Sequence, residues 1–275
     1  MTYDLQGSAL LAWGQLLEHP ETAMLAFDFD GTLSPITDDP GSAYAHPAVV
    51  AVLGRVGPRV AQIAVVTGRP VRTVVNLGGF EGADGLDNLV VLGQYGVERW
   101  DATTGAYVEP PAPDGIGAVR AELPLLLAEL GLGAAHIEEK GRALGVHVRR
   151  LPDPQEAYDR LVIPLSELAE RYRLAVELGR RIIEIRAPGM DKGAALRSLV
   201  DEVGVRCVVF GGDDLGDIPA FDAVAELRDG DGMTGLRICS MSGEQGQMAG
   251  HADLVVDGPD GLVAFLDHLA IRLGA

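Results

Sequence analysis

Lysine is nearly absent from this chain. Its 22 basic side chains comprise 20 arginines and two lysines, Lys140 and Lys192. Where arginine serves almost everywhere, a retained ammonium marks a place whose chemistry differs from that of a guanidinium. Basic residues are missing from the beginning as well: none precedes Arg55, so the basic leader of a secretory signal is not expected. No stretch reaches the ~20 uninterrupted apolar residues of a membrane helix. The two cysteines, Cys207 and Cys239, lie inside apolar runs, where free buried thiols are expected rather than a disulfide, and a cytoplasmic protein with them. Positive charge is also scarce: the net charge is −18 and the pI about 4.6. Non-specific attraction to nucleic acid or to anionic lipid is thereby excluded. An anionic substrate must be held by locally placed cations or by a metal. A soluble monomer is expected.

What is present reads as a folded α/β protein. Apolar runs at Met24–Phe29, Gln62–Val66, Leu89–Leu92, Cys207–Phe210, Leu236–Cys239 and Leu254–Val256 are mostly continuous, as in strands covered on both faces of a parallel sheet. Helical patterns at Ala9–Leu17, Pro47–Val56, Gly193–Val203 and Gly261–Leu273 accompany them, which predicts a doubly wound core. The middle of the chain differs. Proline clusters at Pro110, Pro111 and Pro113, and again at Pro188, bracket helical patterns near 116–130 and 155–171. Between those, Leu144, Val146 and Val148 alternate with Gly145, His147 and Arg149, the period of a strand with one buried face. A hairpin is predicted around Gly179-Arg180. The expected organisation is a core of residues 1–112 and 188–275 with an α+β insertion at 113–187.

Two acidic clusters follow apolar runs: Asp28-Phe29-Asp30-Gly31-Thr32 and Gly211-Gly212-Asp213-Asp214-Leu215-Gly216-Asp217. Like charges gathered at buried strand ends need a cation to compensate them. An all-oxygen donor set suits Mg²⁺, and open sheets bind ligands beyond the carboxyl ends of their strands. Thr67-Gly68-Arg69 ends a third strand with a hydroxyl and a flexible turn. Lys192 opens a helix, where a cation is misplaced unless it faces an anion.

Together these residues resemble the haloacid-dehalogenase phosphatases. Asp28, Asp30 and Thr32 match that family's first motif, Thr67 the second, Lys192 the third and the Asp213 cluster the fourth. Within it the chain looks most like the trehalose-6-phosphate phosphatases. The runs Ile137-Glu138-Glu139-Lys140, His147-Val148-Arg149 and Gly179-Arg180-Arg181-Ile182-Ile183-Glu184-Ile185-Arg186 resemble the signatures of their cap. Two features depart from the pattern. Tyr95 stands where a histidine is usual in Gly93-Gln94-Tyr95-Gly96-Val97-Glu98, and Gly216 and Ile218 replace a threonine and a glutamate after Asp213-Asp214.

The resemblance implies a Rossmann-like core and Mg²⁺-dependent hydrolysis of a sugar phosphate through an aspartyl-phosphate. It implies Asp28 as nucleophile and Asp30 as acid and base, with Thr67 and Lys192 on the phosphoryl oxygens. Mg²⁺ is expected on Asp28, Asp30, Asp213 and Asp214, with Asp217 supporting; whether Asp214 or Asp217 completes the site, through water or by orienting Lys192, stays open. Thr32, Gly68, Arg69, Glu138, Lys140, His147 and Glu184 are the expected substrate contacts, the last four from the insert acting as a cap. Sucrose phosphate, mannosyl phosphoglycerate and a hexose phosphate remain alternative substrates; phosphomutase and regulatory roles remain alternative functions.

Overall fold

Consecutive apolar residues need cover on both faces of a sheet, and the first strand shows how they find it. The computed structural model describes residues 3–37, 39–179, 181–189, 191–230, 232–241 and 248–275. Arg180, expected in a hairpin turn, lies outside the described residues. In β1 (Ala23–Phe27), Leu25 and Phe27 pack into one apolar cluster while Met24 and Ala26 pack into another across the sheet. Every residue of the strand is buried. Removing one such side chain, as in Leu25→Ala, costs about 2–5 kcal/mol.

The chain divides into two compact units, Met1–Glu109 with Asp191–Ala275, and Pro110–Met190; the sequence reading puts the insert's limits at 113 and 187. The first unit begins with α1 (Gly7–Glu18), β1, α2 (Pro47–Val56), β2 (Gln62–Val66), α3 (Val71–Gly78), β3 (Leu89–Gly93), β4 (Glu98–Asp101) and β5 (Ala106–Val108). The second unit contributes α4 (Asp114–Glu129), β6 (His136–Glu139), β7 (Leu144–His147), α5 (Pro154–Arg171), β8 (Ala175–Gly179) and β9 (Ile182–Arg186). The chain then returns to the first unit through α6 (Lys192–Val203), β10 (Cys207–Gly212), α7 (Ile218–Asp229), β11 (Thr234–Met241), β12 (Leu254–Asp257) and α8 (Gly258–Arg272).

The first unit's sheet has the order β12-β11-β10-β1-β2-β3-β4-β5. Its six strands from β12 to β3 are parallel, and β4 and β5 extend it antiparallel. Helices α1, α2, α3 and α8 cover one face, α6 and α7 the other. This is the expected doubly wound α/β architecture. Strand β1 sits between β10 and β2, so the strand order reverses beside it, where ligand sites of open α/β sheets form.

The second unit's sheet is antiparallel, in the order β6-β7-β9-β8. Leu144, Val146, Ile183 and Ile185 turn inward onto α4 and α5. The opposite parity sets Glu138, Gly145, Glu184 and Glu177 in one cross-strand row. Both cysteines are free and buried; Cys207 opens β10 beside Thr234, whereas Cys239 pairs with Gly212. Burial pushes both thiols up to about 11, so neither is a ready nucleophile. Among the described residues no helix is long and apolar enough to cross a membrane.

Candidate active site

Three adjacent parallel strands deliver the central residues. Asp28 follows β1, Thr67 follows β2 and Asp213 follows β10, so register alone brings the three strand ends together. The backbone N–H of Asp28 donates to Gly211 O at 2.8 Å, extending the ladder one residue past β1. The chain then turns through Gly31 at φ +73°, and a Cβ there would stand 2.1 Å from Asp213 Oδ2. Only glycine suits both the angle and the contact. Ser240, buried in β11, donates its hydroxyl to Gly31 O at 2.8 Å and holds that turn. Ser240 was not singled out in the sequence; its one signal is a small polar residue beside the apolar end of β11. Thr32 is fully buried, and its hydroxyl has no partner among the described residues.

Helix α6 brings in the cation. Asp191 caps its N-terminus by accepting from Ala194 N at 2.7 Å, and the next residue, Lys192, is buried. Lys192 Nζ lies 2.7 Å from Asp28 Oδ1 and 2.7 Å from Asp217 Oδ1. The second oxygen of Asp217 accepts from the backbone N–H groups of Asp213 (2.9 Å) and Asp214 (3.2 Å). Asp217 therefore aims the ammonium and braces the acidic loop at once.

Burial pushes the Asp28 carboxyl well above the usual carboxylate range. Lys192 pulls it back down, and Asp217, Asp213 and Asp30 push it further up. Burial works against the Lys192 ammonium too, but Asp217 and Asp28 outweigh it and keep the lysine charged. One ammonium is thus shared among too many acids. Oxygens of Asp28, Asp213 and Asp217 gather within 4.8 Å of one another. With all three ionised, they carry two more negative charges than the one ammonium balances, the amount a divalent cation neutralises. Hard oxygen donors of this kind fit Mg²⁺.

The arrangement differs from expectation in two respects. Asp214, expected on the metal, is exposed and turns its carboxylate to Gly216 N (2.9 Å), capping the short helical turn Leu215–Asp217. Asp217 takes the inward position instead, because one tight turn reverses which carboxylate points inward. Arg69, expected on the substrate, grips Asp30 through Nε–Oδ2 (2.6 Å) and Nη2–Oδ1 (2.7 Å), and Nη1 donates to Pro40 O at 2.6 Å. Gly68 meets the ring of Tyr95, where a Cβ would lie 2.7 Å from Cζ. Thr67 is buried and its Oγ1 accepts from Arg69 N at 3.2 Å.

The second unit gathers the other four candidates into a cluster of their own. His147 Nε2 and Glu138 Oε2 are 2.8 Å apart, Lys140 Nζ bonds Glu184 Oε2, and Lys140 lies 3.9 Å from Glu138. Gly145, between Glu138 and Glu184 in the row, leaves the space these longer side chains share. Glu184 is 4% exposed, and its Oε1 has no hydrogen-bond partner among the described residues.

A doubly wound sheet with an acidic strand-end cluster, a buried lysine opening α6 and an α+β insertion defines the class: the fold is that of the haloacid-dehalogenase-like hydrolases. The profile of the trehalose-phosphatase family matches residues 26–260, and the chain belongs to that family. It is 28% identical over 254 residues to a trehalose-phosphate phosphatase of Mycobacterium tuberculosis, covering 90% of this chain and 61% of the relative. An uncharacterised glycosyl hydrolase of the same organism is 30% identical over 258 residues, covering 90% of this chain and 18% of the relative. This chain therefore corresponds to only part of either relative. Among solved structures, the C-terminal domain of C. albicans trehalose-6-phosphate phosphatase superposes with a TM-score of 0.76 at 21% identity, covering 97% of each chain.

Proposed function

We propose that the protein hydrolyses trehalose 6-phosphate to trehalose and phosphate in the cytoplasm, with Mg²⁺ as cofactor. The observation that carries the reading is the buried Asp28–Lys192–Asp217 ion group beside Asp213 at the switch point of the sheet. Family membership and the similar enzymes support the choice of substrate.

In the first step an oxygen of Asp28 bonds to phosphorus as the bond from phosphorus to the sugar oxygen breaks, giving an aspartyl-phosphate. Asp30 donates a proton to the departing sugar oxygen. Because Arg69 holds both oxygens of Asp30, at least one of these bonds yields when the carboxyl carries that proton. In the second step Asp30 takes a proton from water as the water oxygen attacks phosphorus, and the bond to Asp28 breaks. Lys192 and the Thr67 hydroxyl bind phosphoryl oxygens, and their charge and dipole act most strongly in a site shielded from water. Asp28, Asp213 and the backbone carbonyl of Asp30 would hold Mg²⁺, leaving Asp217 to position Lys192. Bound there, the cation would keep Asp28 ionised and neutralise phosphoryl charge.

Glu138, Lys140, His147 and Glu184 form the sugar-binding group. Carboxylates and an ammonium offer a polyol the directional bonds that an apolar pocket lacks, and the unpartnered Glu184 Oε1 supplies an acceptor for a hydroxyl.

The test is phosphate release from a panel of sugar phosphates with Mg²⁺ and then with EDTA, with Asp28→Asn as control. Release from trehalose 6-phosphate above all others, lost with EDTA and in the variant, is expected. Preference for another sugar phosphate would keep the chemistry and overturn the substrate. A folded protein inactive on the whole panel would overturn the phosphatase reading.

A further inference from the structure

At the end of β3, two consecutive residues that are not glycine adopt left-handed backbone angles: Gln94 at φ +48° and Tyr95 at φ +57°. Side chains make this conformation costly and glycine does not, so such residues persist where their side chains have a use. Gln94 is completely buried.

The polar groups of this pair converge on one short stretch of chain. Tyr95 N donates to Thr67 O at 2.9 Å, and Gln94 N donates to Arg69 O at 2.9 Å. The side-chain amide of Gln94 donates to Gly68 O at 3.0 Å. Three successive carbonyls, those of Thr67, Gly68 and Arg69, are thereby held by two residues. The Tyr95 ring lies against Gly68 so closely that a Cβ on the glycine would overlap its Cζ and hydroxyl. A little further on, buried Glu98 accepts from Val71 N at 2.8 Å and pins the start of α3. The turn held in this way carries the Thr67 hydroxyl at one end and Arg69 at the other, and Arg69 grips Asp30.

We propose that Gln94 and Tyr95 are positioning residues of the phosphoryl-transfer site: through the Thr67–Arg69 turn they set the Thr67 hydroxyl and, by way of Arg69, the Asp30 carboxylate. This rests on the phosphatase reading above. The backbone donors of the pair could be supplied by glycines; the amide of Gln94 and the ring of Tyr95 could not. A strained backbone kept for the sake of its side chains should trade stability for turnover.

The experiment compares Gln94→Gly, Tyr95→Gly and Tyr95→Phe with the wild type, recording Tm, kcat and KM for trehalose 6-phosphate with Mg²⁺. The two glycine variants suit the left-handed turn and should melt at or above the wild-type temperature. Their kcat should fall at least tenfold while KM stays within about threefold. Tyr95→Phe, which keeps the ring on Gly68, should stay within about threefold of wild type in both constants. Glycine variants with wild-type kcat, or with a kcat that falls only in step with Tm, would overturn the inference and leave the phosphatase reading standing. A wild type inactive on every sugar phosphate would overturn both.

Discussion

Lys192 stands between two carboxylates, 2.7 Å from Asp28 and 2.7 Å from Asp217, with at most 7% of any of the three side chains exposed. Replacing it by methionine leaves the acids without their ammonium. Breaking one partner out of a buried ion group costs about 3–5 kcal/mol. Lys192→Met should lose that much in urea denaturation at pH 7, and turnover should fall by about 10²-fold or more. A variant with unchanged stability would show that the acidic cluster does not need the lysine.

The surplus of negative charge predicts a stabilising cation. Saturating Mg²⁺ at about 100 times its Kd adds roughly 2.7 kcal/mol to the folded state. It should therefore raise Tm by several degrees, and EDTA should reverse the gain. Asp213→Asn should abolish the Mg²⁺-dependent rise, whereas Asp214→Asn, altering an exposed capping residue, should retain it. Loss of the rise in both variants would restore Asp214 to the metal site.

Recognition of the sugar can be separated from chemistry on the phosphate. Glu184→Gln and Lys140→Ala break the half-buried pair of the second unit. Their KM for trehalose 6-phosphate should rise about tenfold, the value of one good hydrogen bond to a charged group. Their turnover of p-nitrophenyl phosphate, which carries no sugar, should stay near wild type. An equal loss on both substrates would place the pair in the stability of its unit instead.

A pH effect follows from a site remote from catalysis. Asp253 accepts hydrogen bonds from Arg237 and Arg228 at 2.8–3.2 Å. Burial raises the Asp253 carboxyl, but the hydrogen bonds of Arg237 and Arg228 outweigh it, and the net displacement is downward. The stability it contributes is present above the unfolded value of about 3.9 and is lost as pH falls below that through the folded value. Asp253→Asn should destabilise the protein by about 1–3 kcal/mol at pH 7, with the difference from wild type shrinking between pH 4 and pH 2. A constant difference across that range would mean that charge plays no part.

The elements most legible in the sequence were those with the least ambiguous burial. Continuous apolar runs located β1, β2 and β10, and strict alternation located the buried face of β7, because residues covered on both faces and on one face leave different periods. Strands β4 and β5 were not read, being four and three residues long and, in Glu98-Arg99-Trp100-Asp101, mostly charged. Within the site, residue types and order pointed to Asp28, Thr67, Lys192 and the Asp213 cluster. Which of Asp214 and Asp217 turns inward was not legible, because it depends on a single helical turn between them. Arg69 was equally ambiguous: a long side chain at a strand end can reach either a ligand or a neighbouring carboxylate, and here it takes Asp30.

The central strand β1 borrows one neighbour, β2, from chain made before the second unit and the other, β10, from chain made after it. On a ribosome adding about 5–20 residues per second, Asp28 is made roughly 8–37 seconds before Lys192 and Asp213 exist to meet it. During that interval the edge of β1 that will later receive β10 has no permanent partner, and the acid group has no ammonium. Until β10 is made, the half-synthesised chain thus carries one open strand edge, an exposure of the kind that invites wrong pairing.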